Sequence, residues 1–238
     1  MAAAEDNTST IFVTFLTTML HEGADVKGWV TLPQNAYAIT HIRCGISPNK
    51  STWFLHESAG QHAERNMVDE LTREYLTNTS DDTDKPFLRI AMYVNYSPCN
   101  GDSNCAAAVK EFHEKASEKY EVSMEMVFVG LYYIRRPSCY YNGQEGAPTR
   151  PCTHYSLRLS EDESRQHISG LRTLRDAGIN LRTFEDRDWE TLINYLVIER
   201  DGDRSELQGQ MDEARDRRRK EDEYMRQDFE AIFGGEFE

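Results

Sequence analysis

Positive charge is scarce in this chain. Its 238 residues carry 27 Lys and Arg against 41 Asp and Glu, a formal net charge of −14. Sequence-independent binding of nucleic acid works through Lys and Arg that neutralise phosphates, so overall charge argues against that partner unless basic residues cluster. Long apolar runs are missing too, and no stretch approaches the roughly 20 residues that cross a bilayer. Ile11 to Leu20 is apolar, but Thr interrupts it and a strand is the better reading. The opening Met-Ala-Ala-Ala-Glu-Asp lacks the basic flank of a secretion signal, and the chain is expected in the cytoplasm and/or nucleus with no membrane contact. Cysteines are few and odd in number, five in all, unlike the frame of a small secreted disulfide scaffold. With 39% hydrophobic and 29% charged residues, the composition suits a folded chain: one α/β domain with a sizeable core and an appended element.

Periodicity supplies the elements. Thr8 to Thr18 is β-branched and aromatic and reads as a strand, with a turn at His21 to Lys27. Trp29 to Ile46 supplies one or two more strands, Gly45 to Ser51 a loop, and Trp53 to Leu55 a short strand. From His62, apolar or small residues at Ala63, Met67, Val68, Leu71, Tyr75 and Leu76 form a helical stripe. A polar connection, Thr77 to Lys85, leads to a buried strand at Phe87 to Tyr96. A helix is predicted from about Ser103 to Lys115, a strand at Val122 to Tyr133 and one long loop at Arg135 to Tyr155. Ser160 with Glu163 has capping-box spacing, and that helix should end at Gly178, a C′ glycine. A strand at Asn180 to Phe184, a helix at Asp186 to Val197 and a long charged helix at Asp203 to Phe233, packed by its distal end, complete the chain. The expected division is a domain at residues 1–200 and a helical extension at 201–238. Strands alternating with helices after residue 60 argue for a layered α/β sheet.

Three pieces of chemistry converge in that frame. His62-Ala63-Glu64 opens one predicted helix, Ser97-Pro98-Cys99 leaves a buried strand, and Cys105 lies at the start of another helix. One imidazole and two thiolates make a zinc ligand set that leaves a fourth position for water. Helix N-termini pointing at the metal favour thiolate over thiol. Zinc brings the pKa of a water toward neutrality, and Glu64, two residues from a ligand, is placed to carry that water's proton. His-x-Glu followed by Pro-Cys-x-x-Cys is the signature of the zinc base deaminases.

On these residues the sequence resembles the AID/APOBEC family of polynucleotide cytidine deaminases. The HAE at 62–64 and the SPC at 97–99 match its metal motifs, and Phe128-Val-Gly-Leu-Tyr-Tyr133 is similar to the strand before its specificity loop. Leu171 to Asn180 (LRDAG within it) and Asp188 to Ile193 continue the likeness, which spans roughly residues 8 to 200. The resemblance implies a three-layer α/β/α cytidine-deaminase fold with a central five-stranded mixed sheet. It also implies one Zn2+ per chain and conversion of cytosine to uracil in single-stranded DNA or RNA. Carried over by position, Tyr133 would border the target base, Ser97 would contact its exocyclic side, and the 134–155 loop would select the neighbouring nucleotide. The chain departs from the family in having five residues between Cys99 and Cys105, Tyr96 where Trp is common, Glu57 after His56, and a longer 134–155 loop.

Alternatives stay open at several positions. Arg135 and Arg136 either bind phosphate or solvate a loop. His56 either contacts nucleotide or caps a strand end. Cys139 and Cys152 either pair or remain thiols. The Arg215–Lys220 run is a salt-bridged solvated helix or a nuclear-import signal, and Phe229, Ile232 and Phe233 dock on the domain or meet a protein partner. A free cytidine or nucleotide deaminase, or a deaminase-fold binding protein with structural zinc, would share the metal motif.

Overall fold

The computed structural model describes residues 37–46, 51–57, 62–77, 85–101, 103–137, 139–140, 150–151, 160–200 and 204–234. The strand read at Thr8–Thr18, the turn at His21–Lys27, and Cys152 lie outside them. The architecture is α/β. Strand β1 (Tyr37–Cys44) runs antiparallel to β2 (Ser51–Glu57) on one side, from Tyr37 opposite Glu57 to Arg43 opposite Ser51. On its other side it runs antiparallel to β3 (Phe87–Tyr96), Ala38 opposite Val94 through Cys44 opposite Leu88. β3 is parallel to β4 (Glu121–Gly130), so the sheet is mixed.

Four strands therefore have a defined register, where five were expected. The short strand Asn180–Thr183 follows β4 in the sheet order. Two further two-residue strands, β5 (Cys139–Tyr140) and β6 (Arg150–Pro151), pair in parallel inside what reads from sequence as one irregular loop. The edge strand Asn180–Thr183 is β7.

Helix α1 (Ala63–Leu71) buries Ala63, Met67 and Leu71, one face at a four-residue spacing, and packs on β1 and β2. It continues as a π-helical turn, Thr72–Leu76, where the sequence stripe suggests an unbroken helix. Helix α2 (Cys105–Lys119) is the crossover between parallel β3 and β4. It starts two residues later and ends four residues later than its periodicity indicates, burying Val109, Phe112 and Ala116. α3 (Glu161–Asp176) packs against α2. Both halves of its capping box are made: Ser160 Oγ accepts from the Glu163 N–H at 3.2 Å, and the Ser160 N–H donates to Glu163 Oε2 at 2.9 Å. Its end is a Schellman turn, with Gly178 at φ +86, the Gly178 N–H on Arg175 O at 2.8 Å and the Ile179 N–H on Leu174 O at 3.2 Å.

The sheet is buried unevenly along its length. Met92 to Asn95 on β3 and Met126 to Val129 on β4 are buried on both faces, whereas Arg89, Glu121 and Ser123 at the other end are exposed. The buried end is the one that carries Tyr96 and the cysteines.

The chain divides into two compact units, residues 35–182 and a second built of 183–238 with 1–34. In the second, α4 (Asp186–Arg200) packs against α5 (Arg204–Phe233). The charged α5 is not solvated all round. Arg218, Asp222, Met225 and Asp228 are buried on it. Trp189 on α4 explains the placement: its indole N–H donates to Asp222 Oδ2 at 3.0 Å, and Arg218 grips Asp222 Oδ1 through Nε at 2.8 Å while its guanidinium lies 5.7 Å over the Trp189 ring. A buried indole needs an acceptor, the acceptor brings a charge, and the charge needs a counter-ion. No helix among the described residues is long and apolar enough to cross a membrane.

Removing Asp222 takes the acceptor from the buried Trp189 indole and a carboxylate from the buried Arg218 guanidinium. Asp222→Ala is expected to cost on the order of 3–5 kcal/mol in urea unfolding. Arg226→Ala, which breaks the exposed pair to Glu223, should leave the unfolding midpoint nearly unchanged.

Candidate metal centre

His62 is the N-cap of α1, and its carbonyl accepts the Arg65 and Asn66 N–H groups at 2.9 and 3.2 Å. Its side chain makes no capping bond, which leaves both ring nitrogens for other partners. Nδ1 lies 3.4 Å from Cys99 Sγ, and Nε2 lies 3.2 Å from Ser103 Oγ. One ring edge thus faces the sulfurs while the other is held by a hydroxyl, the arrangement that fixes orientation in metal-ligating histidines.

Cys99 comes three residues after β3 ends, and Cys105 is the first residue of α2. The Cys99 carbonyl accepts the Ala106 N–H at 3.1 Å, folding strand exit onto helix start. Within the spacer the Asn104 N–H donates to Gly101 O at 2.9 Å, and Asn104 takes left-handed φ +43. Asn is among the few residue types that adopt this conformation readily. The long spacer is absorbed without separating the cysteines. Ligand atoms of His62, Cys99 and Cys105 all lie within 4.8 Å of one another, placed to hold a metal ion, and among the described residues no other such group forms.

The spacer is anchored from two helices. Arg65 donates Nε and Nη2 to Ser103 O at 2.9 and 2.6 Å. Asn100 and Gln166 exchange side chain-to-carbonyl bonds of 2.9 and 2.8 Å, and the Asn100 N–H donates to His167 Nδ1 at 3.2 Å. Gly170 makes this approach feasible, because a Cβ there would stand 2.6 Å from Asn100 Cβ and 3.2 Å from Ala106 Cβ.

Charge in the site is concentrated and only partly compensated. A hydrogen bond from the Cys105 thiol, with backbone N–H groups and His62 behind it, pulls Cys99 down to about 5 against the opposing effect of burial. Cys105 is pushed up, first because it donates that bond and then because it is buried beside Glu64. Without a cation the pair holds one thiolate, and a bound cation would stabilise two. Burial raises Glu64 to about 7, and its Oε2 has no hydrogen-bond partner although Glu64 is only 5% exposed. An orphaned acceptor beside two sulfurs and an imidazole fits a bound cation and its water.

The residues proposed from sequence are brought together to different degrees. His62, Glu64, Cys99 and Cys105 form one cluster. Ser97 is buried beside it, accepting the Tyr132 N–H on Oγ at 2.9 Å and donating its own N–H to Gly130 O at 2.9 Å. Tyr96 lies 6.0 Å from the Tyr132 ring. Tyr133 stacks on Tyr132 at 4.5 Å with left-handed φ +52, a strained conformation for an aromatic residue. Arg135 is half-buried and its N–H donates to Ser164 Oγ at 2.9 Å, while Arg136 is buried. His56 stands opposite Ala38 in β2, and the side chains of His56 and Glu57 lie outside the described residues.

Four neighbours escaped the sequence reading: Arg65, Ser103, Tyr132 and His167. Tyr132 matters most. Burial, then Tyr133, Cys99, Glu64 and Cys105, raises its hydroxyl to about 12. Strand β4 ends at Gly130 rather than Tyr133, so strand alternation cannot say which of the adjacent tyrosines faces inward. His167, edge-on to Tyr132 at 5.7 Å and 5.6 Å from Tyr133, is set by the helical phase of α3. Neither models of known protein families nor curated protein sequences match the chain.

Gly170→Ala should force Asn100 and its spacer off α3. Competition with a chelator should then show metal affinity lowered about 10-fold or more, the range for losses of supporting contacts around ligands.

Proposed function

We propose that this chain is a zinc-dependent deaminase of the AID/APOBEC type, converting cytosine to uracil in single-stranded DNA or RNA. The carrying observation is the His62–Cys99–Cys105 cluster with the unpartnered Glu64 oxygen beside it. The fold goes with it: a three-layer α/β/α arrangement in which the short edge strand after α3 is the fifth of the sheet. The chain works inside the cell, in cytoplasm or nucleus.

His62 Nδ1 and the two cysteine sulfurs would hold one zinc ion. When bound, zinc supplies a Lewis acid that brings a water's pKa toward neutrality. Glu64 Oε2 would take a proton from a water and deliver it to the cytosine ring nitrogen N3 as the water oxygen bonds to C4. The same carboxyl would then take the proton of the new C4 hydroxyl and pass it to the amino nitrogen as the C4–N bond breaks, so one water is consumed and one ammonia leaves. Tyr132 stacks on the target base, with Tyr96, Tyr133 and His167 walling the aromatic patch, since every base presents a π-face. Ser97 holds the strand-to-loop turn that presents Tyr132, and offers its backbone to the base. Arg135 stands where a phosphate would leave the patch.

The net charge of −14 favours a second reading, a deaminase of free cytidine or its nucleotides, which needs little backbone binding. Uracil formation from a cytosine-containing single-stranded oligonucleotide, DNA and RNA in parallel, with free cytidine alongside, separates the two. Glu64→Ala should keep stoichiometric zinc and lose turnover roughly 100-fold or more, the range for a removed general acid–base group. Turnover on free cytidine alone would select the second reading, and full zinc occupancy with no turnover on any of the three would defeat both.

A further inference from the structure

At the end of the sheet away from the cysteines, we infer a second ligand site: a phosphate-binding cavity that the deaminase reading does not use. A cavity of about 240 Å³ opens there on the sheet face, lined by His41, Arg43, Arg89, Ser123, Glu125 and Asn180. Register puts these side chains on one face. Arg43 stands directly opposite Arg89, His41 opposite Ala91, Arg89 beside Ser123, and Ala91 beside Glu125. Two arginines at a directly opposed antiparallel position repel one another, and sheets ordinarily avoid such a pair.

Among the described residues, no carboxylate forms an ion pair with either of them. The one carboxylate in the cavity, Glu125, is already held: Arg182 donates Nε to Oε2 at 2.8 Å and Nη2 to Oε1 at 2.9 Å, and Asn180 donates to Oε2 at 3.0 Å. With Arg182 included, three guanidiniums share one carboxylate. Arg43 and Arg89 are exposed and make no ion pair with a described residue, and Arg89 only lies over the Phe87 ring at 5.5 Å. The chain carries 14 more acidic than basic residues, yet no described acid pairs with this opposed pair. Paired guanidinium forks with a serine hydroxyl between strands and an imidazole at the rim match the donors that phosphate oxygens accept.

The site is distinct from the metal cluster. Seven residues of β3 separate Arg89 from Tyr96, about 23 Å at the usual strand rise. It therefore takes a phosphate that is not on the reacting nucleotide: a free di- or polyphosphate, or a distant phosphodiester of a bound strand.

The test is titration of the full chain with pyrophosphate, followed by thermal shift and calorimetry against sodium chloride at matched ionic strength. Saturable binding and a raised melting temperature are expected, with affinity lowered about 10-fold or more in the Arg43→Gln/Arg89→Gln double variant. Ser123→Asp keeps both arginines but sets a carboxylate beside Arg89, and should weaken binding as much while circular dichroism stays unchanged. Binding no stronger than chloride's, or equal in wild type and both variants, overturns the proposal. A cytosine-free oligothymidylate that displaces pyrophosphate assigns the site to a strand's backbone, and pyrophosphate binding untouched by it assigns the site to a small anion. Because neither probe contains cytosine, failure here leaves the deaminase reading standing, and inactive Glu64→Ala should bind pyrophosphate like the wild type.

Discussion

A carboxylate with one oxygen lacking any partner is held out of water in this protein, and the rest of the site is arranged around that cost. Burying Glu64 this way is unfavourable by several kcal/mol unless protonation or a nearby cation compensates. Its pKa is drawn toward 7 mainly by burial, against the opposing effect of a backbone N–H and, behind it, of His62 and Cys105. The surroundings hold it by covalent and packing constraint. Ala63 and Met67 sink α1 into the sheet, and Glu64 lies on the turn between them. Arg65 points the other way to tie the spacer, so neighbouring residues of one helical turn serve the proton-carrying position and the ligand loop at once.

The ligand loop depends in turn on α3. A five-residue spacer between two ligands is long enough to let them drift, and entropy favours drift. Three devices oppose it: a left-handed asparagine, a reciprocal amide pair to Gln166, and a glycine on α3 that admits Asn100 within van der Waals range. The same helix lends His167 to the aromatic patch and Ser164 to the backbone beyond Tyr133. The capping box and Schellman turn that bound α3 thus fix more than a helix. They fix the angle from which one element holds both the metal loop and the base-facing loop.

How much of this was legible in the sequence follows from the range of the forces involved. Caps, helical stripes and buried strands are local, and Ser160, Gly178 and the β3 and β4 runs could be read from neighbours in the chain. The ligand cluster was legible for another reason, since imidazole, thiol and carboxylate types at helix and strand ends suit one chemistry. Tyr132 was not legible, because the inward choice between two adjacent tyrosines is made by where β4 stops. Ser103, Arg65 and His167 are set by contacts 38 to 67 residues away in the chain, which no periodicity encodes. The α5 burial was hidden by composition: a charged helix reads as solvated until an indole on another helix demands an acceptor.

Net charge misleads for a similar reason. Much of the excess acid lies on helix surfaces in pairs such as Lys110–Glu114, Lys115–Glu111 and Arg165–Glu161, which consume cations without creating a field of either sign at any site. What a polyanion meets is the residue left over locally. At the cysteine end that residue is aromatic, with few cations, so stacking rather than phosphate neutralisation must carry most of any strand's affinity. Stacking is insensitive to salt, and neutralisation is steeply sensitive to it. At the opposite end of β3 the balance inverts, with the guanidiniums of Arg43 and Arg89 exposed side by side. One sheet thus presents a base-like surface at one end and a phosphate-like surface at the other, and the chain's overall sign predicts neither.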